Sequence, residues 1–360
     1  MIPLYGKVLV LGALIALLCG CSGADSVATA ERLLDEKFLA YSTGNQPGVA
    51  VMLIHDGKIQ LQKTYGLANI EEDAPISADT AFRLASVSKQ FAAVAMLMLQ
   101  EDGALSIDDP VSKYVPKLAP YKDVTIRHIL LHTSGLPDYY DLIDPSSAMP
   151  TNADAATLLG EMATPLFAAG ERYEYSNAGY DMLGPIVEAA SGVPFVKFVR
   201  ERIFSALGMR SSLVHNHTMP EIDNRAYGYD PDADGFQLND ADPLNGIVGS
   251  GGIYSTLNDL YQWDQALYGD RLVSEETLEL AFSAGKTNGG ESTDYGFGWR
   301  IDNFNGRKRF SHTGSWVGFR AYIGRVPDSK FSLVLLSNRG DFEALEHADE
   351  ITAAYLDAVR

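Results

Sequence analysis

The chain has 360 residues, 46% of them hydrophobic, which suits one large domain or two interleaved subdomains around a substantial core. Its 47 acidic and 28 basic residues give a formal net charge of −19, which argues against nucleic acid as a partner. Both cysteines, Cys19 and Cys21, fall in the first 21 residues, so the remainder of the chain has neither a disulfide nor a cysteine nucleophile.

Before residue 19 the only charged side chain is Lys7, and residues 8–18 form an uncharged run. That run is too short to span a bilayer and has the length of a secretory h-region. Leu18-Cys19-Gly20-Cys21 resembles the lipobox of bacterial lipoproteins, which implies a leader over 1–21 and a lipidated Cys21 as the new N-terminus. Ser22, in place of an aspartate, matches the outer-membrane sorting pattern. The expected location is therefore the periplasmic side, with the protein lipid-anchored to the outer membrane. Residues 22–30 are small and polar, a tether to the domain at 31–360.

Ala30, Leu33, Leu34, Lys37, Phe38 and Tyr41 keep helical spacing and predict an amphipathic helix. Residues 49–54 read as a continuous apolar strand, Asp56-Gly57 as a hairpin turn, and 58–63 as the returning strand, with Ile59 and Leu61 alternating. Ser86-Val87-Ser88-Lys89 then heads a stretch, 90–100, that is apolar on nearly every side and predicts a buried helix. Lys89 shares the helix face of Ser86, ~4.5 Å further along the axis, which sets a hydroxyl nucleophile beside an amine base. Free N–H groups at that helix start favour the negative charge formed when the hydroxyl attacks a carbonyl.

Strand signal fades from 102 to about 245, where helical stretches at 125–131, 153–163, 182–190 and 194–207 are split by Pro- and Gly-bearing loops. Strands return at 295–302, 309–314, 318–326 and 331–337, and 343–359 closes as an amphipathic helix. The expected fold is α/β and two-part: one antiparallel sheet built from both ends of the chain and flanked by helices, about 31–88 and 250–360, plus an all-helical subdomain, about 89–249. Two further polar stretches belong to a cleft between the parts. Tyr175-Ser176-Asn177 lies in a loop before a helix. His312-Thr313-Gly314-Ser315 ends a strand, where Gly314 lets the backbone approach a ligand and the next N–H face it.

From about 46 to 338 the chain resembles the serine β-lactamase and penicillin-binding-protein superfamily. It lies on the class C side, which includes D-alanyl-D-alanine carboxypeptidases, D-aminopeptidases and carboxylesterases. The resemblance is carried by the order S-x-x-K, Y-x-N, basic-Thr-Gly, with support from 105–111 and from Leu131-His132-Thr133-Ser134-Gly135-Leu136-Pro137. It implies a β-lactamase/transpeptidase-like fold with Ser86 as acylated nucleophile, Lys89 as the group that eases its deprotonation, and Tyr175 as proton carrier. It further implies substrate contacts from Asn177, His312, Thr313 and Gly314, and an oxyanion hole made by the backbone N–H groups of Ser86 and Ser315.

One departure bears on specificity: most β-lactamases begin the third motif with Lys, and this chain has His312. A shorter, mostly neutral imidazole expects esters or aminopeptidase-type substrates over β-lactams. It leaves a hydrogen bond for Tyr175 or a substrate oxygen, and gains a cation only below the histidine's pKa.

Rival motifs are weaker. Gly285-Lys286-Thr287 lacks the earlier glycine of a phosphate loop, position 280 being Leu. Asp230, Asp232, Asp234 and Gly235 imitate a calcium loop but have Ala241 where its glutamate belongs, so a surface hairpin is expected. His215 and His217 have no third ligand nearby, His132 is expected to cap a turn, and Trp263, Trp299 and Trp316 are core, with Trp316 also a candidate for the cleft wall. No cofactor or metal is expected, and no G-x-S-x-G elbow occurs. The reading is a serine hydrolase acting on a small-molecule or peptide ester or amide; the alternatives are a class C-like β-lactamase or a penicillin-binding sensor without turnover.

Overall fold

Residues 49–54 carry no polar side chain because both faces of their strand are covered. In strand β1 (Val49–His55), Val49, Val51 and Leu53 enter one apolar layer, and Ala50, Met52 and Ile54 enter the other. The computed structural model describes residues 13–144, 149–216 and 221–359, with side chains from Ser26 onward. β1 pairs with β2 (Lys58–Tyr65) through the Asp56-Gly57 turn and with the Phe331–Ser337 strand on its other side. The sheet is antiparallel and six-stranded, in the order Arg300–Phe304, Arg307–Trp316, Phe319–Val326, Phe331–Ser337, β1, β2. Both ends of the chain thus build it.

Helix α1 (Ala13–Phe38) and the closing helix Ala344–Ala358 cover one face, where Ala30, Leu34 and Phe38 pack with Ala348, Ile351 and Tyr355. On the other face lie α2 (Lys89–Glu101) and the helix Leu257–Ala266, with Phe91 stacked 4.0 Å from the Trp263 ring.

Four expectations change. Residues 22–30, read as a tether, are helical within α1, and Ser26 and Ala30 are buried. Alanines at 24, 28 and 30 carry the helix through a segment with no proline to stop it. The part expected to be all-helical, 89–249, contains the strand Leu213–Val214, which joins Ile253–Ser255 and Phe82–Arg83 in a small sheet, besides the expected surface hairpin, Tyr229–Asp232/Gly235–Leu238. The strands of this small sheet are only two or three residues long, so they leave little alternation to read. The helix expected over 182–190 is preceded by a separate short helix, Asn177–Asp181, so Asn177 opens a helix and does not lie in the loop before one. The strand expected from 295 starts only at Arg300, because Gly298, with φ +81, brings the chain against the start of α2. An ideal Cβ there would lie 2.8 Å from Gln90 Cα, an approach that only glycine permits.

Candidate active site

Ala85 has a φ of +47, which is unusual for a residue with a Cβ and costs roughly 1–2 kcal/mol. A 3-10 turn, Ala85–Ser88, follows and leads directly into α2. Ser86 is half-buried in this turn and lines a cleft together with Asn177, Ser250, Ser315 and Trp316. Ser88, the other hydroxyl of the turn, accepts the Ile253 N–H at 3.2 Å and so ties the turn to the small sheet.

Lys89 is completely buried. Its Nζ lies 2.7 Å from Asn177 Oδ1, 3.0 Å from the Ser250 carbonyl and 3.1 Å from Ser86 Oγ. Burial pulls its pKa down to about 7, opposed by the Asp181 carboxylate and helped by Arg300. In the neutral amine, two N–H bonds serve Asn177 and Ser250, which leaves the lone pair for the Ser86 hydroxyl. Asn177 orients the lysine through its Oδ1 and also lines the cleft, where a substrate contact is expected of it.

Asp181 sits one turn beyond Asn177 on the same short helix and is fully buried. It accepts from Tyr139 at 2.7 Å and Tyr140 at 3.1 Å, and the Ser250 N–H reaches it at 3.4 Å. Burial raises its pKa while these donors and Lys89 counteract the rise. Ser250 thus touches the amine through its carbonyl and the carboxylate through its N–H.

The Tyr175 ring lies 5.0 Å from Lys89 Nζ, and the nearby Ser86 hydroxyl favours the ionised phenol against burial. Burial raises its pKa to about 12, so the phenol keeps its proton at neutral pH. His132 does not simply cap a turn. Its Nδ1 accepts the Ser176 N–H at 3.0 Å and its ring lies 4.2 Å from that of Tyr175, so it props the Tyr175 loop from behind.

The third stretch differs most from expectation. His312 is buried and spends both ring nitrogens inside the protein: Nδ1 lies 2.6 Å from the Thr313 carbonyl, and Nε2 lies 2.8 Å from Tyr295 Oη. The Nδ1 proton goes to the carbonyl, and Nε2 accepts from the phenol. Neither nitrogen remains for Tyr175 or a substrate oxygen. Burial also lowers its pKa to about 3, so no imidazolium forms on moderate acidification. Gly314 approaches Leu84 closely: an ideal Cβ on it would stand 2.1 Å from the Leu84 carbonyl oxygen. This contact holds the strand carrying Ser315 against the turn carrying Ser86. Thr313, half-buried, pairs with Tyr322, and Trp316 lines the cleft and donates to Asn245 at 2.8 Å. His217 and the Cys21 side chain lie outside the described residues.

Sequence reasoning missed Asp181, Ser250, Arg300 and Arg83. Asp181 had one available signal, its i+4 spacing from Asn177. Arg300, whose guanidinium stands 5.7 Å from the Tyr175 ring, belonged to a stretch read only as a strand. Ser250 lies in a glycine-rich loop with no periodicity to interpret.

The profile of the Beta-lactamase family matches residues 31–356. A penicillin-binding protein of Bacillus subtilis (strain 168) is 37% identical over 314 residues, covering 83% of this chain and 69% of that protein. A D-aminopeptidase of Brucella anthropi is 29% identical over 297 residues, covering 81% of this chain but only 56% of the relative. The D-amino acid amidase of Ochrobactrum anthropi SV3, solved with L-phenylalanine amide, superposes with a TM-score of 0.78 at 26% identity, over 93% of this chain and 98% of that one.

Proposed function

The chain belongs to the Beta-lactamase family, and from that premise we propose that it is a serine hydrolase that opens an ester or amide bond through an acyl-enzyme on Ser86. The observation that carries this reading is the buried Lys89 amine 3.1 Å from a half-buried serine hydroxyl that faces a cleft.

As Ser86 Oγ attacks the carbonyl, its proton passes to the Lys89 lone pair, because a hydroxyl is a poor nucleophile until a base takes its proton. The oxyanion forms between the N–H groups of Ser86 and Ser315, each donor contributing on the order of 3 kcal/mol. Tyr175, protonated at neutral pH, gives its proton to the leaving group and regains one from Lys89. Collapse of the tetrahedral intermediate breaks the ester or amide bond. Water then enters, loses a proton to the same amine–phenol pair, and releases the acid from Ser86. With His312 neutral and engaged, the motif at that strand supplies no cation, which favours esters and aminopeptidase-type amides over β-lactams.

A fluorophosphonate probe followed by peptide mass spectrometry tests the reading. The adduct is expected on Ser86, and Ser86→Ala should abolish both labelling and p-nitrophenyl ester hydrolysis. An adduct elsewhere, or turnover by the variant, refutes it.

The uncharged run at 8–18 and the Leu18-Cys19-Gly20-Cys21 stretch support a lipid-anchored form facing the periplasm, with Cys21 as first residue. Cys21→Ser should shift the protein out of the membrane fraction or block its processing; unchanged fractionation and mobility refute the anchor.

A further inference from the structure

Building on the acyl-enzyme reading, we propose that Arg83 recognises a carboxylate on the substrate, at the junction between the Ser86 cleft and the cavity beside it. Arg83 stands three residues before the nucleophile, on the short strand Phe82–Arg83. It is 4% exposed, and its Nε is buried without a hydrogen-bond partner. Among the described residues no carboxylate or carbonyl is bound by its guanidinium, whose Cζ lies 5.6 Å from the ring of Tyr254, its neighbour in the sheet register. A guanidinium withdrawn from water with no countercharge is costly, and a buried donor without a partner calls for an explanation. Its planar fork of N–H groups matches a carboxylate.

The surroundings point to a ligand from outside. Arg83 lines the cleft that holds Ser86 and also an adjoining cavity of about 250 Å³. The carboxylates on that second cavity are already engaged: Asp240 bridges Arg225 at 2.8 Å, and Glu221 accepts the Tyr227 hydroxyl at 2.9 Å. His215, on the same cavity, has a buried Nδ1 with no hydrogen-bond partner among the described residues, and burial with Arg83 and Arg225 nearby lowers its pKa. One cation and one ring nitrogen therefore line the second cavity, and Arg83 also lines the cleft that holds the nucleophile. The chain's net charge of −19 offers anions no general attraction, so their recognition requires a local cation. His312 does not provide one. Arg300 is exposed over the Tyr175 ring and lines a different cavity beside Asp294 and Asp302.

The experiment compares kcat/KM for ester pairs that differ only in charge. One pair carries the carboxylate on the acyl chain (4-nitrophenyl hemiglutarate against 4-nitrophenyl valerate), and the other carries it on the leaving group (a depsipeptide against its methyl ester). Arg83→Gln should lower the anionic-to-neutral ratio at least 10-fold in one pair, which also shows on which side the carboxylate sits, and Arg83→Lys should restore part of it. A ratio that stays within 2-fold in both pairs, or that falls in Arg300→Gln instead, overturns the proposal. If Arg83→Gln does not fold, Arg300→Gln still decides: glutarate should inhibit or thermally stabilise it at least 10-fold more effectively than glutaramide, and equal effects overturn the proposal. If no ester is turned over and Ser86 is not labelled, the hydrolase reading fails. In that case the loss, or persistence, of glutarate stabilisation between wild type and Arg83→Gln still tests Arg83.

Discussion

Gly314→Ala should separate the two halves of the proposed oxyanion hole. The new Cβ would lie 2.1 Å from the Leu84 carbonyl oxygen, 3.1 Å from its carbon and 3.3 Å from Ala321 Cβ. A carbon–oxygen contact is comfortable only at about 3.3 Å or more, so one of the two backbones must move by about 1 Å. One is the Leu84 chain, two residues before Ser86; the other is the strand carrying Ser315. Either movement changes the separation of their N–H groups. A misplacement of ~1 Å in a reacting geometry costs on the order of 100-fold, and loss of one oxyanion donor costs about 100- to 1,000-fold. The overpacking itself should cost about 1–3 kcal/mol, a fraction of the ~5–15 kcal/mol that holds a typical domain folded. The assay is kcat for a p-nitrophenyl ester together with the rate of Ser86 labelling, with urea denaturation reporting stability. The expected variant is folded, with kcat down roughly 100-fold. A folded variant within 3-fold of wild type in both rates would refute the argument that this contact positions the oxyanion donors.

Lys89→Ala, Tyr175→Phe and the double variant should fall to similar residual kcat values, because groups that share one proton are not additive in their losses; multiplicative losses in the double variant would deny the shared role. The pH dependence of kcat/KM follows from the same pair. Neutral Lys89 is the active base, so activity should rise with pH through its lowered pKa of about 7, while Tyr175, raised to about 12, keeps its proton well beyond neutrality. Asp181 favours the ammonium form, so Asp181→Asn should move the acid limb to lower pH; an upward shift in the measured profile contradicts this assignment.

Much of the fold was legible because its signals are local. The uninterrupted apolar residues of β1 and the all-round apolar surface of α2 record full burial on both sides. The strand 331–337 was read to the residue, and the closing helix to within one at each end. Thr125 and Thr151 cap helices that the sequence located, each starting next to its threonine. The polar half of the middle region was less readable. The three short strands around Arg83 lack a two-residue alternation, and α1 ran through a stretch whose small residues looked like a linker.

By itself the sequence determined which chemistry is available: a serine three residues before a lysine at the head of a buried helix, a tyrosine loop, and a strand ending in glycine. Those assignments rest on spacing along one element, where backbone geometry fixes distance. The tertiary structure alone decided what each polar group is bound to. It gives Asn177 Oδ1 to Lys89, turns His312 toward Tyr295 and the Thr313 carbonyl, presses Gly314 onto Leu84 and leaves Arg83 Nε without a hydrogen-bond partner among the described residues. Such pairings form between elements distant in sequence, and a buried polar atom takes whatever partner the packing brings within about 3 Å, which no local pattern records.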